Sequence, residues 1–233
     1  MRTRHDLDPD SARRAEEFIR VNLPLTEVPG TGVRLHLAGP RSGLSRLVPA
    51  GGTPYWAHAW PGGAALAAYI ARHPQIFERR QVVEIGGGSG LVSIAATRCT
   101  GCGAYSLDTD PLAAVATRIN AEANGVGARV ETVTGPSKPP RDKPLLTWNM
   151  LTSRGIPIVL VADLFYDEAA AAHLTMTFDA QSPRAIILIG DIGRRFLPRD
   201  RLEPLASYPV RDVGDPPSAP LREGWVFRWK LLP

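Results

Sequence analysis

The chain has 233 residues, of which 44% are hydrophobic and 21% charged, a balance that gives a globular fold with a full core and excludes a disordered or collagen-like chain. No run approaches the roughly 20 apolar residues that cross a bilayer, and the mixed acids and arginines of Met1–Arg20 contain no apolar stretch of a secretory signal. Net charge is +4, spread along the chain with small clusters at Arg79-Arg80 and Arg194-Arg195, which reads as solvated surface and not as a nucleic-acid footprint.

Residues 9–20 predict an amphipathic helix with Pro9 at its start, stopped by Pro24 and Pro29. Val33–Leu37 alternates as a short strand. An aromatic segment, Tyr55–Trp60, leads through Gly62-Gly63 into a small-residue helix over 64–72. A regular pattern follows: strand 81–85, helix 91–97, strand 104–107, helix 111–124, strand 129–133, strand 156–162, helix 168–178 and strand 185–189. The four prolines of 136–144 predict a loop, 201–206 a short helix, and 208–213 with 225–229 a closing antiparallel pair. Strands alternating with helices imply an α/β fold: a Rossmann-like, seven-stranded, mostly parallel sheet with helices on both faces, an antiparallel C-terminal pair and a short N-terminal helical arm. The expected organisation is one domain, with 1–54 an extension and 55–233 the core.

Two cysteines, Cys99 and Cys102, form one C-x-x-C after a helical pattern. A zinc site needs two further soft ligands nearby, and a thioredoxin-type motif opens a helix, so two reduced thiols in a turn are expected, consistent with a cytoplasmic chain. The arginine excess over lysine reads as genome composition and suggests a bacterial source.

The segment with most chemical content is Glu84-Ile85-Gly86-Gly87-Gly88-Ser89-Gly90, after an apolar strand and before a helix. A dinucleotide site wants G-x-G-x-x-G, but position 91 is Leu; the spacing present is G-x-G-x-G, on Gly86, Gly88 and Gly90. No Gly-Lys-Ser/Thr follows, which excludes a P-loop. Bare backbone at that spacing suits the amino-acid end of S-adenosylmethionine. Asp108, ending the next strand, can accept from both ribose hydroxyls, whereas Asp110 is placed to cap the helix from Pro111. Glu84 is open between bracing the glycine loop and reaching the cofactor.

Three further segments accompany this loop: Pro54–Gly63 (PYWAHAWPGG), Asp163-Leu164-Phe165-Tyr166-Asp167, and Leu188–Arg194 (LIGDIGR). With them the chain resembles class I, seven-β-strand methyltransferases, and more specifically the electron-transfer flavoprotein β-subunit lysine methyltransferases and ribosomal protein L11 methyltransferases. The resemblance implies S-adenosylmethionine as cofactor and a protein lysine as methyl acceptor, on the electron-transfer flavoprotein β-subunit or ribosomal protein L11. It places Asp163 and Tyr166 at the reaction centre, Trp60 and Asp163 against the cofactor with Glu84, the three glycines and Asp108, and Trp56, Phe165 and Tyr166 against the substrate. Plainer roles stay open: Asp163 as cap of the following helix, Tyr166 and Phe165 as core, Trp56 and Trp60 as one buried face. His58 is given no role. Residues 133–140 lack the acid that such enzymes carry toward adenine, which keeps two alternatives in view: a small-molecule methyltransferase, and a binding protein that kept the fold without turnover.

Overall fold

A computed structural model describes residues 6–48, 52–135, 157–181, 184–216 and 218–230. The proline-rich loop expected over 136–144 lies outside them.

The chain opens with α1 (Pro9–Asn22), capped by the Asp8 side chain, which accepts from the backbone N–H groups of Asp10 and Ser11. A hairpin follows, β1 (Leu25–Val28) against β2 (Val33–His36). The first of these strands is absent from the sequence reading, because Pro24 and Pro29 mark its two ends and read as breakers; the turn between the strands uses Gly30 and Gly32 at positive φ. Then come α2 (Pro61–Arg72), β3 (Val82–Ile85), α3 (Leu91–Thr100), β4 (Ala104–Asp108), α4 (Pro111–Ala123) and β5 (Val130–Thr134). After the undescribed stretch lie β6 (Ile158–Ala162), α5 (Glu168–Gln181), β7 (Ile186–Asp191), β8 (Leu202–Val210) and β9 (Arg222–Trp229).

Seven strands form one sheet in the order β5-β4-β3-β6-β7-β9-β8. The first five run parallel, and β9 inserts antiparallel between β7 and β8. The short helix expected over 201–206 is a correction: Arg201 ends a 3-10 turn over Arg199–Arg201, and 202–206 begin β8. Its prolines, Pro204 and Pro209, fit a strand because β8 is the sheet edge, where one side of the backbone has no ladder to donate to.

Side chains along the central strands alternate between two cores. Val82, Leu160, Leu188 and Val226 face α2 and α3 with Leu66, Ile70, Val92 and Ile94. Val83, Val159, Val161, Ile187 and Ile189 face α5 with Leu174 and Phe178. A third cluster joins α1 to α4 through Ala15, Ile19, Ala116 and Ile119. The order of strands turns around between β3 and β4 on one side and β6 on the other, so the loops after these three strands open into one crevice.

Candidate active site

The carboxyl ends of β3, β4 and β6 carry the site. The chain leaving β3 turns sharply, and Gly86, Gly88 and Gly90 all hold positive φ (70°, 53° and 79°). Side-chain-bearing residues reach that region only with strain, which is the local reason for the repeated glycine. The turn is fastened to its surroundings. The Gly86 and Gly87 N–H groups donate to the Leu107 carbonyl at 2.8 and 3.0 Å. Thr117 and Asn120 of α4 donate to the carbonyls of Gly88 and Ser89.

Asp108 closes the same turn from β4. Its carboxylate accepts from the Gly88 N–H at 2.8 Å and from the Asp110 N–H at 2.9 Å. Loop and acid are therefore adjoining parts of one site. Burial raises the Asp108 pKa against these backbone bonds. Such a carboxylate is an acceptor with spare capacity, suited to hydroxyl donors. A Cβ at Gly88 would meet nothing nearer than the Trp56 Cα at 3.8 Å, so this glycine turns a bare face outward, whereas a Cβ at Gly87 would overlap the Ser106 hydroxyl. Bare backbone beside an underused carboxylate fits an amino-acid and ribose ligand such as S-adenosylmethionine. Asp110 caps α4 through the Leu112 N–H, as its spacing predicts.

Glu84 is buried, at 3% exposure, and accepts from the backbone N–H and the hydroxyl of Ser93. Ser93 lies in the first turn of α3, whose N-cap Gly90 has no side chain to offer. Glu84 thus caps α3 from the neighbouring strand. Burial, reinforced by the nearby Asp108, pushes its carboxyl up to about 8. With both contacts to Ser93, it braces the loop from within.

Asp163 follows β6 and has φ 57°, one of two non-glycine residues at positive φ among the described residues. Its Oδ2 accepts from the Gly63 N–H at 3.0 Å, in the first turn of α2, and its Oδ1 accepts from Arg194 Nη2 at 2.8 Å. Burial raises its carboxyl to about 6, held down from a higher value by Arg194. Asp163 therefore caps α2, not the helix that follows; Asp167 serves α5 by accepting from the Ala170 N–H at 2.8 Å. Gly62 is required alongside, since a Cβ there would lie 2.7 Å from Asp163 Oδ2 and overlap the Gly190 carbonyl.

The aromatic residues divide. Tyr166 is 59% exposed, and its pKa is raised by burial and then by Asp167, Tyr55 and Asp108. Trp60 is half-buried, tilted against Tyr55 at 5.7 Å, with the Arg194 guanidinium 5.8 Å from its ring centre. Phe165 and Trp56 do not fit the substrate contacts expected of them. Phe165 is fully buried against Phe178, and Trp56 is buried with α1 and α4, so neither side chain meets solvent in this conformation. The reason is local: Trp56 is the middle residue of a single tight turn over Tyr55–Ala57, which buries it with Ala57 and leaves Tyr55 outside. His58 lies edge-on to Trp60 at 6.0 Å, its pKa lowered by burial.

Three participants escape the sequence reading: Ser93, Tyr55 and Arg194. Arg194 stands in the LIGDIGR segment, but nothing in its spacing from Asp163 reveals the pairing, which depends on two adjacent parallel strands. A depression of roughly 390 Å³ lies beside Tyr166, lined by Ile192, Arg194, Arg195, Asp212 and Arg222.

Sheet order, glycine turn and strand-end carboxylate define an S-adenosylmethionine-dependent methyltransferase. Residues 69–154 match the family model described as ribosomal protein L11 methyltransferase (PrmA). The electron transfer flavoprotein beta subunit lysine methyltransferase of Xenopus laevis is 32% identical over 216 residues, covering 87% of this chain and 81% of that protein. Its Danio rerio counterpart is 32% identical over 188 residues, covering 77% and 67%. The chain belongs to the electron transfer flavoprotein beta subunit lysine methyltransferase family. Among solved structures, human methyltransferase 10 domain containing protein shares the fold at a TM-score of 0.50, with 12% identity over 72% of this chain and 82% of that one.

Proposed function

We propose that this protein transfers a methyl group from S-adenosylmethionine to a lysine side chain of a protein, with the electron-transfer flavoprotein β-subunit as first substrate and ribosomal protein L11 as second. The observation that carries this reading is the similarity to a lysine methyltransferase over 81% of that relative's length. Gly86, Gly88 and Gly90 would hold the amino-acid end of the cofactor, Asp108 its ribose, and Trp60 and Asp163 would wall its reactive end. When bound, the cofactor supplies a methyl group on a cationic sulfur that leaves as a neutral thioether.

The protein's own task is orientation. A lysine amine titrates near ~10.4 in water and attacks only after losing its proton. The Arg194 guanidinium, at the mouth of the site, opposes a second positive charge and so favours the neutral amine. Asp163 keeps a lone pair on each oxygen for the incoming nitrogen after its bonds to Gly63 and Arg194. Tyr166 and Tyr55 offer exposed rings to the lysine's methylene stem and to a methylated product. Trp60 already faces Arg194, which leaves this role to the tyrosines. We place the reaction in a reducing, cytoplasmic setting on the strength of two free cysteines, Cys99 and Cys102.

Intact-mass analysis of the two candidate proteins after incubation with enzyme and cofactor tests the reading, with gains in steps of one methyl expected. Labelled methyl recovered on small molecules and on no protein would remove the lysine assignment. Calorimetry showing no binding of S-adenosylmethionine would remove the enzyme.

A further inference from the structure

Arg194 occupies a singular position between two buried acids. Its guanidinium donates to Asp163 Oδ1 at 2.8 Å and lies 3.9 Å from Asp191 Oδ2. The three side chains are 22%, 5% and 0% exposed, respectively. The main chain that carries Arg194 is itself fixed: Asp191 Oδ1 accepts from the N–H groups of Gly193 and Arg194, both at 2.7 Å. Asp191 thus folds the turn, the turn aims the guanidinium, and the guanidinium meets Asp163 on one side and the Trp60 ring on the other. Beyond it begins the depression that Tyr166 borders.

We propose that Arg194 is the positioning residue of the methyl-transfer site, holding Asp163 ionised and in one rotamer, and Trp60 in one orientation, toward the incoming substrate nitrogen. The inference rests on the reading of Asp163 as the reaction-centre acid. It goes beyond that reading by assigning the acid's charge state and aim to a residue on the next strand's loop. Position follows from two contacts of one rigid group, since Nη2 donates to Asp163 Oδ1 while the same guanidinium lies over the Trp60 ring at 5.8 Å. Charge follows from electrostatics. Among the described residues, the groups that act most strongly on Asp163 are Arg194 from the loop after β7, Asp191 from the end of that strand and the Gly63 N–H from α2; of these Arg194 is the cation. Without it, burial and Asp191 together favour the protonated acid, which cannot accept the substrate's proton-bearing nitrogen on both oxygens.

The test combines a proton titration with kinetics. In the wild-type protein, carbon-detected NMR of the Asp163 carboxyl should give a midpoint near 6, and the acid limb of the kcat profile should fall at the same pH. In R194M both midpoints should rise together by about one unit or more, while R194K should stay close to wild type. At neutral pH, R194M should lose about tenfold or more in kcat with little change in KM for the protein substrate. R194K, lacking the planar fork, should fall between. Equal Asp163 midpoints in R194M and wild type would overturn the proposal. So would a loss expressed only in KM, or a wild-type acid limb that does not coincide with the Asp163 titration, a comparison that needs no variant. Because the NMR arm needs no substrate, absence of lysine methylation in the wild type would strike the proposed function without deciding the role of Arg194 in setting Asp163.

Discussion

Glu84 and Asp163 occupy similar places, each buried at the carboxyl end of a strand and each accepting from the first turn of a helix, Glu84 from the helix that follows its strand and Asp163 from α2, far back in the chain. They differ in company. Glu84 has the neutral donors of Ser93 and the Val92 backbone and lies toward Asp108, and its carboxyl titrates at about 8, so at neutral pH it is mostly protonated. Asp163 has a guanidinium in contact and titrates at about 6, so at neutral pH it is mostly charged. One is a neutral brace under the glycine turn, the other an ionised group that our proposal sets at the reaction end. A single cation separates scaffold from chemistry, since desolvation acts on both in the same direction.

Removal of each side chain tests this division. Asp163→Ala should have the largest effect, because it leaves Arg194 partly buried beside Asp191 without its main counterion and strips the α2 cap. A loss of about 3–5 kcal/mol in urea unfolding and of methyl transfer by about 100-fold or more is expected. Gly87→Ala should follow, at about 1–3 kcal/mol with weakened cofactor binding by calorimetry, since its Cβ would overlap Ser106 and displace the loop that Glu84 braces.

Glu84→Gln should be milder and should show itself as a pH dependence. A carboxyl whose folded pKa lies above its unfolded value of 4.5 contributes stability that is fully present below the unfolded value and is lost as pH rises through about 8. Wild-type stability should therefore decline over that range, and the Gln variant, which imitates the protonated form, should flatten the decline. A steeper curve in the variant would break the comparison. Asp110→Ala supplies the baseline of an ordinary cap from within the helix's own sequence, and should cost about 1 kcal/mol in urea unfolding.

Much of the frame is readable in the chain. Val82–Ile85, Ala104–Asp108 and Ile158–Ala162 announce themselves by apolar runs between helical periods, and the positive φ of Gly86, Gly88 and Gly90 is what their spacing demands. The Asp110 cap followed from one residue before Pro111. Errors cluster where a local rule competes with tertiary context. Pro24 and Pro29 hid β1 because a breaker and a strand boundary look alike in one dimension. Residues 202–206 form a strand because β9 stands ready to pair with them, and Leu202 supplies an inward face. Trp56 and Phe165 carry the composition of a binding site but the burial of a core.

The sequence by itself determined the elements whose cause is local: hydrophobic period, proline at helix starts, glycine where φ must be positive, and an acid at a strand end. Only the tertiary structure decided which acid is charged. That depends on Arg194 reaching Asp163 from an adjacent strand, and on Ser93 reaching Glu84 from the following helix, because electrostatic environment is set by distance in space and not along the chain.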